Sequence, residues 1–358
     1  MKKISLFFCG CLFLITACAQ DIKVDPKFAN TARKLDTKNI LQTIAFGSCN
    51  NQSKSQEMWR HVVKNKPDLW IWLGDIIYAD TKNMQVMADK YSFVKNNIDY
   101  RRLLACSPVI GIWDDHDFGW NDAGKEYPMK KESKRLMLDF LDVPKNAAVR
   151  NREGAYQSFT FGKEGQKVKI ILLDARYFRD GVTRTKGSNK KYIPNTRGDI
   201  LGKKQWEWLE KELTNSDAQI NIIGSGIQML PNQHRFEKWA NFPAARKKLI
   251  RLLQQTQPTM PILISGDRHM AEVSKAKINE IEAPLYEVTS SGLTHSWKEK
   301  RKETNQYRIG EIVIEKNFAL LKIDWSRTTP GVSVEVRGLG NKLYLKENLT
   351  PDSESKKK

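Results

Sequence analysis

Ile110-Gly-Ile-Trp-Asp-Asp-His-Asp-Phe-Gly-Trp-Asn-Asp122 is the stretch whose reading decides the fold. Apolar residues run straight into Asp114, Asp115, His116 and Asp117, with Asn121 and Asp122 close behind. Such a run reads as a buried strand whose tip is a polar site, because carboxylates at the edge of a core need a cation or each other. Taken alone, it could equally be a surface loop with ordinary Asp caps. It is not alone.

Working outward, the same pattern recurs along the chain. An apolar run over residues 40–46 ends in Gly47-Ser-Cys-Asn50, and one over 68–73 ends in Gly74-Asp-Ile-Ile-Tyr78. Residues 168–173 lead to Asp174-Ala-Arg-Tyr-Phe-Arg179, and 220–223 lead to Gly224-Ser-Gly-Ile-Gln-Met229. Residues 261–264 end in Ser265-Gly-Asp-Arg-His-Met270, and 285–288 in Thr289-Ser-Ser-Gly292. Helices are expected over 52–66, 84–104, 129–141, 203–213 and 242–254, the last with a proline after its first residue, as helix starts tolerate. Residues 180–198 are basic and aperiodic, a long loop of the kind that is usually functional. Beyond residue 317 apolar and polar residues alternate over 318–325, 332–336 and 342–345, as in antiparallel strands with one solvated face. With no repeat and no low-complexity linker after residue 40, the expectation is one α/β domain with a mixed or double sheet.

The chain has 358 residues, 40% hydrophobic, with ten tryptophans, which excludes a disordered polypeptide. The Trp59, Trp70, Trp72, Trp113 and Trp120 group reads as core packing. A formal charge of +19 points to an anionic partner. The basic residues are scattered (Lys130-Lys131, Lys134-Arg135, Arg246-Lys247-Lys248, 298–302, 356–358), so no dedicated nucleic-acid groove is evident.

At the N-terminus Lys2 and Lys3 precede a short apolar run to Ile15, too short for a permanent span. Ile15-Thr-Ala-Cys18 resembles the bacterial lipobox, which implies lipidation at Cys18 and a cell-envelope location. The expected division is a signal peptide over 1–17, a lipidated tether over 18–40, a catalytic domain over 41–346 and a basic polar tail over 347–358. Cys49 and Cys106 remain; an oxidising compartment could join them, unless Cys49 is a ligand.

Open α/β sheets collect ligands at the carboxyl ends of their strands. Asp, His, Asn, Cys and Tyr converging there require a cation, since buried carboxylates repel one another. Hard oxygen ligands suit calcium, magnesium or manganese; thiolate, imidazole and phenolate suit iron or zinc. In Gly74-Asp75 and Gly266-Asp267, glycine is expected to let the backbone turn so that Asp points inward.

The four motifs at Cys49, Asp75–Tyr78, Asp114–Asp122 and Asp267–His269 together resemble the alkaline phosphatase D (PhoD-like) family. That family lies among the calcineurin-like metallophosphoesterases, distant relatives of the purple acid phosphatases. The resemblance runs from about Phe46 to Trp297. It implies an α/β fold, a β-sandwich of two mixed sheets flanked by helices, and hydrolysis of phosphomonoesters or phosphodiesters at a centre of Fe3+ and Ca2+. On that pattern Cys49, Asp75, Tyr78 and His269 hold iron. Asp75 bridges to calcium, which Asn121 and Asp267 also bind. Larger members carry an N-terminal β-domain for which the stretch ahead of residue 40 leaves no room, so a more open cleft is expected. Zn2+, Mn2+ or Mg2+ are the alternative metals.

For catalysis, His116 is expected to protonate the leaving oxygen or to orient Asp115. Arg176, Arg179 and Arg268 are the candidate phosphate clamps, since a guanidinium grips two oxygens at once. His234 is a candidate substrate-loop residue, and His61 and His295 are read as structural. The expected substrate is a phosphate ester: an anionic envelope polymer, a phospholipid or a nucleotide. Two alternatives stand beside it: a nuclease, sulfatase or phospholipase on the same scaffold, and a non-catalytic lipoprotein that binds polyanions.

Overall fold

Strands covered on both faces need apolar residues at nearly every position, and the runs that end at the motifs satisfy this. The computed structural model describes residues 21–28, 32–187, 191–281, 283–299 and 302–350. The lipobox cysteine Cys18 and the leader lie outside these residues, as does most of the basic tail. Among the described residues no helix is long and apolar enough to cross a membrane.

In chain order the strands are β1 (Thr43–Gly47), β2 (Leu69–Leu73), β3 (Val109–Ile112), β4 (Gln157–Phe161), β5 (Val168–Leu173), β6 (Thr183–Arg184), β7 (Tyr192–Ile193), β8 (Ile220–Ser225), β9 (Pro261–Ser265), β10 (Ala271–Ala276), β11 (Leu285–Ser290), β12 (Arg308–Val313), β13 (Asn317–Asp324), β14 (Gly331–Gly338) and β15 (Leu343–Asn348). The helices are α1 (Met58–Lys64), α2 (Met84–Lys95), α3 (Ile98–Cys106), α4 (Asp115–Phe118), α5 (Lys130–Phe140), α6 (Gly202–Thr214) and α7 (Pro243–Thr256).

Two large mixed sheets result. One is six-stranded, in the order β15-β14-β13-β1-β2-β3, parallel only across β1, β2 and β3. The other is seven-stranded, in the order β12-β10-β11-β9-β8-β5-β4, with a parallel centre over β5, β8, β9 and β11. The period of two along each strand divides the burial. Ile170 and Leu172 of β5, Ile222 of β8 and Ile264 of β9 share the core with Ile71 and Leu73 of β2. Their neighbours Ile171, Leu173, Ile223 and Leu263 pack with Trp206, Leu209 and Leu249 of α6 and α7. On the first sheet Trp70 and Trp72 meet Trp59 of α1 and Tyr100 of α3, with ring centroids 5.0–6.0 Å apart. This group is core, as expected. Both sheets thus present the carboxyl ends of their parallel strands to one crevice.

Several elements depart from the sequence reading. The helix expected over 84–104 breaks at Asn96-Asn97, because the Asn97 side chain accepts the N–H groups of Asp99 and Tyr100 and starts α3 anew. The helix expected from residue 52 begins only at Met58, since Gln52 is committed to accepting the N–H of Tyr78 at 2.9 Å. The loop over 180–198 carries the β6–β7 hairpin. Strands β4, β10 and β12 went unread. In β10, Glu272 and Ser274 are buried polar groups that disguise the pattern, and Glu272 is neutralised by Arg308 of β12 at 2.6 Å.

Candidate metal centre

Local backbone strain marks the site. Cys49 (φ 61°), Asp75 (φ 50°), Asp267 (φ 70°) and His269 (φ 53°) all occupy the left-handed region, which costs a non-glycine residue about 1–3 kcal/mol. Each lies just past a strand tip, so the chain turns back and aims its side chain into the crevice. The glycines before them act differently from one another. Gly74 itself has φ 86°, and a Cβ there would stand 2.2 Å from the Asp114 Cβ. Gly266 is not left-handed; a Cβ on it would meet Leu73 O and Ser48 Oγ at 2.5 Å. Its glycine permits the two sheets to approach, and Asp267 makes the turn.

The strain brings two groups together. In the first, one donor atom from each of Cys49, Asp75 and His269 lies within 4.8 Å of the others. Cys49 Sγ is 3.4 Å from Asp75 Oδ2. The Tyr78 hydroxyl lies 3.1 Å from that same oxygen, 3.0 Å from His269 Nε2 and 3.2 Å from His295 Nε2. Cys49 and Cys106 are both free, so the alternative of a disulfide does not hold. In the second group Asp114, Asp115 and Asp267 meet by the same criterion, with Asp75–Asp115–His116 and Asp115–Asp122–Glu237 alongside.

Electrostatics make these groups a natural seat for cations. Burial pushes the carboxyls of Asp114, Asp117 and Asp267 well above the ordinary range, and that of Asp75 to about 6. Asp115 falls to about 2: burial opposes its charge, but Arg176 and His116 outweigh it. His116 rises to about 10, because Asp75 and Asp115 overcome the cost of its burial. Burial raises the Cys49 thiol and Tyr78 phenol and lowers His269 to about 4. Asp75 Oδ1 and Asp114 Oδ2 are buried without a hydrogen-bond partner, two lone-pair atoms facing an uncompensated site. Thiol, phenol and imidazole in one group and carboxylates in the other fit a softer and a harder cation side by side.

The surrounding residues are placed as follows. Asp117 caps the turn, accepting N–H groups from Asp114 at 2.7 Å, Ile76 at 3.1 Å and Asp75 at 3.3 Å. His116 is held by Asp80 at 2.8 Å and lies against the Tyr78 ring, centroids 4.2 Å apart. Asn121 is exposed at the rim, its N–H bonded to Asp80 at 3.1 Å. It lines a cavity of about 430 Å³ with Asp122, Lys125 and Arg184.

The expected phosphate clamps are corrected. Arg176 is fully buried between Asp114 at 2.6 Å and Glu237 at 2.7 Å. Arg179 is equally buried against Glu237 at 3.1 Å, and Arg268 pairs with Glu303 at 2.6 Å. These guanidiniums are counter-charges that hold the carboxylates in place. His234 is buried as well, near the cations of Arg268, Lys238 and Arg308, which with burial lower its pKa. It is not an open substrate-loop residue. Lys125, paired with Asp180, and Arg184, paired with Asp122, line the cavity beside Asn121.

Sequence reasoning missed Asp80, Glu237 and the place of His295. Asp80 and Glu237 stand in aperiodic loops with no spacing signal. His295 follows the tip of β11 closely, which was the available clue.

A sequence model of the PhoD-like phosphatase family matches residues 44–325. Alkaline phosphatase D of Bacillus subtilis (strain 168) is 24% identical over 327 residues, covering 75% of this chain and 54% of its own. The chain thus spans about half the length of that curated relative. A solved structure of PhoD aligns with TM-score 0.66 at 16% identity, over 90% of this chain and 74% of that one. Purple acid phosphatase PPD1 from yellow lupin (Lupinus luteus) seeds aligns with TM-score 0.61 at 15% identity, over 89% and 55%. GAP50, the anchor in the inner membrane complex of Plasmodium, aligns with TM-score 0.52 at 10% identity, over 88% and 90%. The structural likenesses establish the metallophosphatase-like fold, and the sequence match over most of its length shows that the chain belongs to the PhoD-like phosphatase family.

Proposed function

We propose that the protein is a metal-dependent phosphoric ester hydrolase acting on phosphodiesters or phosphomonoesters. The observation that carries this is the juxtaposition of the Cys49–Asp75–Tyr78–His269 group with the Asp114–Asp115–Asp267 group in one crevice. Cys49, Asp75, Tyr78 and His269 would hold Fe3+; Asp75 and Asp267, with Asn121 from the rim, would hold Ca2+. Zn2+, Mn2+ or Mg2+ are the alternatives. Bound cations supply Lewis acidity toward the phosphate and lower the pKa of water.

The chain's own residues supply the rest. A phosphoryl transition state needs mainly positioning and positive charge. Arg176 offsets the acidic cluster from behind, leaving Asp114 fixed in place. His116, protonated and tethered to Asp80, stands at the crevice edge and would donate its proton to the leaving oxygen. Asp75 and Asp115 keep that proton on His116 through their charges. Lys125 and Arg184 at the rim would draw an anionic ester in, and the charge of +19 favours a polyanionic surface or substrate in general.

The lipobox reading of Cys18 adds a proposed lipid anchor at the cell envelope, where a polymer, phospholipid or nucleotide would be the ester. A non-catalytic lipoprotein that binds polyanions through its basic surface is the competing use of the fold.

The test is metal analysis and the visible spectrum of the purified protein, with hydrolysis of bis-p-nitrophenyl phosphate against p-nitrophenyl phosphate. Turnover that persists in Asp75→Asn would sink the assignment. Bound metal with turnover lost in that variant supports it.

A further inference from the structure

His295 is not a bystander of the crevice. The segment that carries it is stitched to the site on both sides: Leu293 and Thr294 donate their N–H groups to Ser48 O and Cys49 O at 3.3 and 3.4 Å, and Trp297 donates to His269 O at 3.0 Å. The ring stands 4.3 Å from His269 and 5.2 Å from Tyr78, centroid to centroid.

Its tautomer follows from a complete count of one hydroxyl. Thr294 Oγ1 donates its only proton to Cys49 O at 3.1 Å and accepts the N–H of Asn51 at 2.8 Å. A hydroxyl has one further lone pair. The network around Thr294 is satisfied in full when that lone pair accepts at 3.1 Å from His295 Nδ1, the assignment that puts the imidazole hydrogen on Nδ1 and leaves Nε2 bare. Nε2 points at the Tyr78 hydroxyl, 3.2 Å away. That hydroxyl has a single proton, and the Asp75 carboxylate stands 3.1 Å away to accept it. A bare nitrogen therefore faces an oxygen whose one proton a carboxylate also claims. Lone pairs gathered in this way are stabilised by a cation placed among them. A histidine whose other nitrogen is pinned by a hydrogen bond is the usual form of a metal-ligating histidine.

We propose that His295 Nε2 is a further donor to the cation held by Cys49, Asp75, Tyr78 and His269, with Thr294 fixing its tautomer. The centre then carries two imidazoles, a thiolate, a phenolate and a carboxylate. This rests on the metal-centre reading above and adds a residue to it.

The test follows cobalt(II) binding through the thiolate-to-cobalt absorption that Cys49 would give, with a competing chelator setting the affinity. His295→Ala should weaken binding by about tenfold or more, and free imidazole added to that variant should restore tight binding. His295→Gln, closer in size, should show the same loss, so a folding defect in one variant does not decide the matter. Thr294→Val should cost less, because the ring remains but can turn. Unchanged affinity and spectrum in both His295 variants, with the wild-type band present, would overturn the role of His295 alone. Absence of a thiolate band in the wild type and its appearance in no condition would remove the metal centre itself, and His295 with it.

Discussion

The two halves of the crevice solve the same problem in opposite ways. The Cys49–Tyr78–His269 half uses groups that are neutral at neutral pH, kept so by burial, with Cys49 and His269 on left-handed backbone. The Asp114–Asp115–Asp267 half uses carboxylates and relies on a buried guanidinium, Arg176, to make their crowding tolerable. Left-handed backbone occurs in both halves, at Cys49 and His269 and again at Asp267, but only the second half crowds charge. The difference teaches that a cation is needed for different reasons: to deprotonate thiol and phenol in the first half, and to relieve repulsion in the second.

Asp75 belongs to both halves, so its loss should have the largest effect. Asp75→Asn is expected to lower turnover by on the order of a thousandfold or more, since it would weaken the hold on the cations whose positive charge would stabilise the transition state. Steady-state hydrolysis of a phosphodiester checks this, with circular dichroism to confirm the fold.

Arg176→Met comes next and strikes the carboxylate half alone. It leaves Asp114 buried without its counter-charge and Glu237 with Arg179 alone, which should cost about 3–5 kcal/mol of stability. Chemical denaturation reads that loss directly. A cost below about 1 kcal/mol would mean that Asp114 is already protonated or solvated, and that the two halves are not so different. Cys49→Ser strikes the other half. Retention of the hard cation with loss of iron or zinc would show that the two seats are separable; loss of both metals together would merge them into one cooperative centre. Metal content after dialysis tells the cases apart.

Most of the layout was legible in the sequence, and the reason is physical. A strand buried on both faces announces itself by unbroken hydrophobicity, so β2, β5, β8 and β9 and their polar tips could be read directly. The turns that carry the candidate ligands Cys49, Asp75 and Asp267 follow glycines within two residues, a local signal. What escaped was decided by tertiary pairing. Strand β10 hides its period because Glu272 is buried against Arg308. Arg176, Arg179 and Arg268 resemble phosphate clamps in sequence, yet each is consumed by a carboxylate from a distant segment, Glu237 or Glu303 among them. Sequence reveals which groups can bind an anion, but not whether the chain has already provided one.

A buried carboxylate away from the crevice serves as the control and carries the smallest effect. Glu287 of β11 is held by the N–H groups of Met229 at 2.9 Å and Leu230 at 2.5 Å, and burial raises its pKa from 4.5 to about 7. Among the described residues no guanidinium pairs with it. Below about pH 4.5 the group is protonated in both the folded and unfolded chain, and its contribution is fully present. As pH rises, the unfolded chain releases the proton first, so the folded state loses stability until the pH passes about 7. The loss is on the order of 1–3 kcal/mol. Glu287→Gln turns one accepting oxygen into a donor and adds a constant cost, but it should flatten this slope. Denaturation midpoints of both proteins between pH 4.5 and 7.5 supply the measurement. Parallel curves would mean that the backbone N–H groups alone satisfy the charge, and that burial without a cation is less costly here than the crevice carboxylates imply.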